Sequence, residues 1–474
     1  MSARSAAIKM TRLGTREKLE ARLAELGVSL PIDDAVETNG PLASPLDVAG
    51  RTLGNRFCVL PMEGWDGTPE GRPTELVERR WRRFGESGAA LVWGGEAYAV
   101  RPEGRANPQQ LCVNDATEAD LVALRAALLE GHGESCAADA PFLGLQLTHS
   151  GRFARPQGAP LPRIAFRHPV LDTRVGVEDD AAILSDAELD DLIGDYVQIA
   201  ESAARAGFDF VDVKACHGYL GHELLSGRGR PGPYGGDLAG RARFLLRTIE
   251  AVRAAAPSLA IGVRLSAFDF HPFRPGEGGV GEPESSAHVP FGANEDGLGL
   301  DLAETQQLLG WLAEAGVALV CTTAGSPYYN PHAQRPAFYP PSDGYRPPED
   351  PLVGVVRQIE ATASLRARHP GLRFVGSAYT YLQEWLPNVA QALIRAERVD
   401  SIGLGRMMLS YPTLPRDVLA GRDLERPLVC RTFSDCTTAP RNGLVSGCYP
   451  IDPFYKRRPE ADALARIKKE AASS

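Results

Sequence analysis

Between Phe57 and about Leu409, short apolar runs of strand length alternate eight times with segments of helical period. The runs are 57–62 (FCVLPM), 89–93 (AALVW), 142–147 (FLGLQL), 208–213 (FDFVDV), 260–265 (AIGVRL), 317–322 (VALVCT), 373–377 (RFVGS) and 400–404 (DSIGL). Strands separated by helices pair in parallel, and eight of them fit a closed barrel better than an open doubly wound sheet. No early strand runs into a G-x-G-x-x-G turn, so a dinucleotide-binding domain is excluded. The expected fold class is α/β, a (β/α)8 TIM barrel with an N-terminal extension, long loops after strands five and six, and a cysteine-containing C-terminal tail.

The helices carry their own punctuation. Ser185 with Glu188 forms a capping-box pair, Leu189, Ile193, Tyr196 and Ala200 make an apolar stripe, and Gly207 stops the helix before the fourth strand. Asp301 with Glu304 opens another such helix, which Gly316 closes. Residues 1–54 form the extension and lead-in: a short helix capped by Thr15, with Leu19, Leu23 and Leu26 on one face and Gly27 at its end, then an irregular run. The barrel takes 55–420. The tail, 421–474, includes CYPIDPFYKRRP and is expected to pack on the barrel or on a neighbouring subunit, which leaves a homo-oligomer open. Residues 267–300 and 324–351, rich in Gly, Pro and aromatics, each follow a strand, where loops crown the catalytic face and shape a substrate pocket.

Fifty-one basic against sixty acidic side chains leave a formal charge of −9, which offers no footprint for nucleic acid. No run of about 18 apolar residues spans a membrane and the first thirty residues hold no signal-like segment, so a cytoplasmic location is expected. Of eight cysteines, Cys58, Cys112, Cys136, Cys216 and Cys321 are scattered singly, against a disulfide scaffold.

Reactive groups in a barrel project from the C-terminal ends of its strands. Here those ends read Gln146 to Arg152 (QLTHSGR), Lys214 to Glu223 (KACHGYLGHE), Arg264, Gly376-Ser377 and Gly405-Arg406. They are rich in donors and almost free of carboxylates, which suits an anionic or electron-rich ligand better than a divalent metal.

PLDVAGRTLGNRFCVLPM, LQLTHSGR, FDFVDVKACHGYLGHELLSG with YGGDLAGRARFLLRTIEAVR, VRLS and DSIGLGRMMLSYPTLP, in that order over residues 43–420, resemble the signatures of the old yellow enzyme family of flavin oxidoreductases. The resemblance implies FMN held noncovalently at the barrel mouth, reduced by NADH or NADPH, and a small-molecule substrate with an activated C=C bond. It puts the Gln146 amide on the flavin pyrimidine edge, Arg264 near N1 and O2, and backbone around Pro61, Met62 and Ala97 on the other edge. The phosphate would rest on Gly376, Ser377, Gly405 and Arg406, where an anion site after strands seven and eight is expected on general grounds. Lys214 and His217 occupy the positions of the pair that holds the substrate oxygen, and Tyr219 that of the proton donor.

Two positions depart from the family pattern. Lys214 replaces a neutral His and would favour an oxyanion or carboxylate-bearing substrate. Glu63 stands where a Thr or Cys tunes the flavin, and a carboxylate there disfavours the reduced anion unless it is protonated or paired.

Other polar residues have plainer readings. On their own His149 and Arg152 read as braces of the third loop; with the resemblance, a pocket role is the better reading. His222 and Glu223 read as packing and capping, and Arg241 and Arg243 as surface or loop-bracing charges. Tyr328, Tyr329, Phe338 and Tyr345 suit a substrate pocket and loop self-packing equally. Cys430, Cys436 and Cys448 follow C-x5-C and C-x11-C spacing. Larger relatives bind an iron–sulfur cluster in such a segment, but with tighter pairs and four thiolates, so no metal is expected here. Three rival functions stay in view: an FMN demethylase or dehydrogenase running oxidatively, a metal hydrolase or lyase built on His149, His217 and His222, and a barrel that only binds.

Overall fold

The computed structural model describes residues 7–136, 138–284 and 286–473, so residues 1–6 of the expected extension and residue 474 of the tail lie outside it. Its strands are β1 (Leu46–Val48), β2 (Arg51–Leu53), β3 (Phe57–Val59), β4 (Leu91–Val92), β5 (Ala97–Ala99), β6 (Phe142–Thr148), β7 (Phe210–Val213), β8 (Ala260–Ser266), β9 (Phe273–Pro275), β10 (Gly281–Pro283), β11 (Leu319–Thr323), β12 (Arg373–Gly376) and β13 (Ser401–Leu404). Every residue of β6 and β7 is buried. A strand with helices outside and side chains within has no wet face, which is why these read as unbroken apolar runs.

Parallel pairing runs β3–β4–β6–β7–β8–β11–β12–β13 and returns to β3 through Ile402↔Phe57, Gly403↔Cys58 and Leu404↔Val59. The chain is thus a closed eight-stranded (β/α)8 barrel, and all eight expected strands take part. The second is broken: after β4 the backbone kinks at Gly94 (φ 134°) and Gly95 (φ 53°), then resumes as β5 further along β6. A Cβ on Gly94 would lie 2.7 Å from the Gln146 nitrogen, and one on Gly95 2.4 Å from the Trp81 ring, so the kink requires glycine twice.

The run before the first strand is not irregular. β1 and β2 form an antiparallel hairpin whose turn residues Ala49 (φ 48°) and Gly50 (φ 79°) are both left-handed. Its Leu46, Val48 and Leu53 share one core with Cys58, Leu60, Leu91, Trp93, Phe142, Phe210, Leu319, Cys321 and Val375. The hairpin plugs one end of the barrel; Arg51 reaches Asp209, and Arg373 reaches the Asp47 carbonyl.

Among the helices, Asp186–Arg205 carries both bonds of the Ser185–Glu188 capping box, and Thr15 caps Arg16–Glu25. Helix Ala303–Glu314 departs from expectation. The Asp301 carboxylate accepts from Ala303 N, while Glu304 turns away to Arg241 (2.6 Å) and Arg228 (2.8 Å), because Arg241 is buried and takes the carboxylate as counter-ion. The long loops are stitched together by Asp269, which accepts from Tyr329 Oη and Asn330 Nδ2, each at 2.6 Å. No helix among the described residues is long and apolar enough to cross a membrane.

Candidate active site

Asp212 is a lone acid in an apolar strand, turned into the barrel and fully buried. Three donors answer it: Gln146 Nε2 at 2.6 Å, Trp93 Nε1 at 2.7 Å and the Arg264 backbone N–H at 2.6 Å. Burial still pushes its carboxyl up. Because the carboxylate takes the amide nitrogen, Gln146 presents its oxygen to the cavity as an acceptor. Beside it the buried guanidinium of Arg264 keeps Nε unpartnered.

Gln146 and Arg264 form the floor of an open cavity at the barrel mouth. One wall carries the reactive side chains. Lys214 Nζ lies 2.7 Å from Glu63 Oε1 and 4.1 Å from the centroid of the Tyr219 ring. Glu63 Oε2 accepts from Trp65 Nε1 (3.1 Å) and Tyr219 Oη (3.3 Å), and Tyr219 Oη meets Tyr328 Oη at 2.9 Å. Burial, then the negative charge of Glu63, holds the Tyr219 phenol well above its usual range. Tyr328 stacks on Phe153 with centroids 4.1 Å apart.

His217 continues this wall with φ 66°, a left-handed conformation that costs a non-glycine residue about 1–2 kcal/mol. Ser266 Oγ accepts its backbone N–H at 3.0 Å, and Gln334 Nε2 faces its Nε2 at 3.1 Å. Burial, then Arg264 and Lys214, drive its imidazole well below the ordinary histidine range, so the ring is neutral.

At the far end of the cavity lie Ser377, Gly405 and Arg406, faced by Arg335 from the sixth loop and by Cys436, Thr437, Pro440 and Arg441. The last four come from the tail, whose helix Asp435–Arg441 folds back over the mouth.

Ten of the twelve site residues expected from sequence line this one cavity: Pro61, Met62, Gln146, Lys214, His217, Tyr219, Arg264, Ser377, Gly405 and Arg406. Ala97 and Gly376 stand behind its wall; the Ala97 carbonyl is taken by Gln110 Nε2, and Tyr379 packs against Gly376. Glu63 is the one carboxylate lining this cavity among the described residues, and Asp212 lies beneath its floor. Asp212 had a signal, since an acid inside an apolar strand needs buried donors. Trp65, Gln334 and Arg335 had none, and the tail was expected to pack on the barrel or a neighbouring subunit without any of its residues being placed in the site.

Other candidates lie elsewhere. His149 and His222 each spend Nδ1 on a local backbone amide, of Gly151 and Gly218. Arg152 is locked between Asp172 and Glu223, Arg241 braces Leu225 O and Glu304, and Arg243 bonds Pro233 O. Tyr345 bonds His332, and Phe338 packs edge-on against Tyr339. Among the described residues no three His, Cys, Asp or Glu side chains are grouped to hold a metal ion, and Cys430, Cys436 and Cys448 are free thiols.

The cavity is polar at both ends and leaves its donors unanswered. Arg264 Nε, Ser377 Oγ, Arg406 Nη1 and Arg335 Nη2 are buried there without partners among the described residues, as is the acceptor Gln334 Oε1. Orphaned donors around one space await an electron-rich ligand. A flavin mononucleotide fits that donor set, with an imide and carbonyl edge for Gln146 and Arg264 and a phosphate for the Arg406 end.

Comparison with known proteins agrees with this fit. A profile of the NADH:flavin oxidoreductase / NADH oxidase family matches residues 41–281. An NADPH dehydrogenase of Bacillus licheniformis is 27% identical over 386 residues, covering 80% of this chain and 94% of its own. Among solved structures, a morphinone reductase superposes with TM-score 0.56 at 23% identity, over 82% of this chain and 92% of that one. A 2-naphthoyl-CoA reductase complex superposes with TM-score 0.65 at 16% identity; 88% of this chain is covered, yet it spans only 58% of that protein.

Proposed function

The chain belongs to the NADH:flavin oxidoreductase / NADH oxidase family, of old yellow enzyme type with FMN and NAD(P)H as cofactors, and on that premise we propose that it reduces an activated C=C bond. One hydride from NAD(P)H and one proton from the protein saturate the alkene and leave NAD(P)+. The observation that carries this reading is the facing of two sets across one cavity: Gln146 and Arg264 on the floor, and Tyr219, His217 and Lys214 on the wall.

FMN, when bound, supplies the ring that takes the hydride and gives it up. Gln146 Oε1 would accept from its imide N–H, Arg264 would offset negative charge on its pyrimidine edge, and Arg406 with Ser377 and Gly405 would hold its phosphate. The remaining chemistry belongs to the wall. Tyr219 is held un-ionised, so it has a proton to give, and its bond to Tyr328 keeps the hydroxyl aimed. With the Gln334 amide as placed, His217 Nε2 accepts and Nδ1 carries the proton, a neutral donor for a substrate oxygen gaining enolate character.

Lys214 supplies a second donor, and Glu63 cancels most of its charge. That pairing weakens the case for a carboxylate-bearing substrate made from Lys214 alone, and it limits ground-state overbinding of a neutral enone. Replacing Tyr219 by Phe tests the assignment: alkene reduction slows by about 10²-fold or more while flavin reduction by NADPH keeps its rate. Equal losses in both half-reactions would remove Tyr219 from the proton-donor role.

A second reading rests on Glu63. A carboxylate lining the cavity would take the proton that an amine or alcohol substrate releases, which suits an FMN dehydrogenase or demethylase running oxidatively. Anaerobic mixing separates the two: enones reoxidise the reduced protein under the first, and amine or alcohol substrates bleach the oxidised protein under the second.

A further inference from the structure

Arg335 lies in the short helical loop after β11, outside every motif that marks the flavin site in the sequence. Its neighbour Pro336 gives its carbonyl to Arg406 Nη2 at 2.9 Å, both arginines line the same cavity, and Arg335 feels the charge of Arg406. Each keeps one nitrogen buried and unpartnered, Nη2 on Arg335 and Nη1 on Arg406. The third arginine there is already answered: Arg441 Nη1 is 2.8 Å from both Asp343 oxygens, and Nη2 is 2.7 Å from the Pro327 carbonyl. No carboxylate is hydrogen-bonded to Arg335 or Arg406 among the described residues. Arg335 Nη1 instead donates to Thr437 Oγ1 on the tail helix Asp435–Arg441, beside Cys436 and Pro440 on the cavity wall.

We propose that Arg335 is a second guanidinium for the FMN phosphate and that, through Thr437, it fastens the C-terminal segment over the mouth when the cofactor is bound. This rests on the FMN reading of the site. A phosphate monoester carries between one and two negative charges at neutral pH and offers three acceptor oxygens, which matches two guanidiniums better than one. Without that anion, burial and the like charges of Arg441 and Arg406 pull the Arg335 guanidinium down to about 9, a strain that an added anion relieves. Relief of the strain steadies the side chain, and the side chain holds Thr437. Cofactor loading and tail closure are then one event.

Riboflavin has the same ring and no phosphate, so it isolates the claim. Binding of FMN and of riboflavin to apo-protein is measured by quenching of flavin fluorescence, for wild type, Arg335→Gln and Arg335→Lys. Wild-type protein that binds neither flavin overturns the FMN reading itself. Given wild-type binding, Arg335→Gln should weaken FMN by at least about 30-fold and leave riboflavin within about twofold. Arg335→Lys, which keeps the charge and loses the fork, should fall between. Retained riboflavin binding shows that the variant folds, and an unchanged FMN-to-riboflavin ratio in both variants overturns the role of Arg335.

Hydrogen exchange reads the second half. FMN, and not riboflavin, should slow exchange of amides in 435–441, and Thr437→Val should abolish that protection while FMN still binds. Equal protection by both flavins, or protection that survives Thr437→Val, refutes the coupling.

Discussion

Lys214 and Glu63, 151 positions apart in the chain, meet at 2.7 Å above the floor of the cavity. Each alone breaks the family pattern, one with a cation and one with an anion, and together they restore near-neutrality. The two side chains are unequally wet, 2% exposed for Lys214 and 18% for Glu63. Asymmetry follows. Glu63→Gln strands a buried ammonium and should cost about 3 kcal/mol, whereas Lys214→Met leaves a carboxylate that can turn towards water and should cost about half as much. The double variant should recover most of the larger loss. Urea unfolding of the four proteins measures the cycle, and simple additivity would show that the pair is not coupled.

Asp212 holds Gln146, Trp93 and the Arg264 backbone at once. An amide has one acceptor oxygen and must turn its NH2 towards at least one of those donors. Asp212→Asn should therefore destabilise the protein by about 2–4 kcal/mol and release the Gln146 amide. FMN affinity should fall with it, although Asp212 does not line the cavity. Unchanged stability and unchanged flavin binding, by urea unfolding and fluorescence titration, would show that the floor is set by packing instead.

The barrel was legible because its strands are buried on both faces, which writes each as an apolar run, and because helix caps such as Ser185–Glu188 are local. The β1–β2 hairpin was not, since its turn uses Ala49-Gly50 where an Asn-Gly pair would have signalled it. Eight of the ten cavity-lining site residues stand at strand ends, where topology collects them, and Pro61 and Met62 were readable only through the family resemblance. The Lys214–Glu63 pair, the Arg335–Thr437 link and the tail over the mouth depend on contacts between distant segments that no local period encodes.

Arg264 is a buried cation with an unpartnered Nε, whose burial the nearby Asp212 carboxylate offsets in part. Arg264→Met should stabilise the apo-protein by about 1–2 kcal/mol and weaken FMN binding by at least about tenfold. The ratio of holo to apo midpoint in urea reads both at once. A variant less stable than wild type without flavin would mean that the guanidinium braces the barrel rather than waiting for a ligand.

Histidine burial sets the acid limit of the fold. Burial drives His222 down to about 3, and His149 and His168 likewise to about 3. An unfolded histidine takes up its proton near pH 6.5, so between about 6.5 and 3 the unfolded chain binds protons that the folded one refuses. The stability each contributes is complete above pH 6.5 and is lost as pH falls, at about 1.4 kcal/mol per pH unit per histidine. Buried carboxyls oppose this. Burial raises Glu96 to about 7 and Asp269, 3.9 Å from His222, to about 6, and their contributions are lost as pH rises through those values. Burial also lowers His217 and His332 and raises Asp212 and Glu223, so the His222 contribution is read as the difference between variant and wild type. His222→Asn keeps an acceptor for the Gly218 amide and removes one titrating ring. Its stability profile should be shallower than wild type by about one proton near pH 5. Parallel profiles in urea unfolding at pH 4.5, 5.5 and 6.5 would show that His222 is already charged in the folded protein.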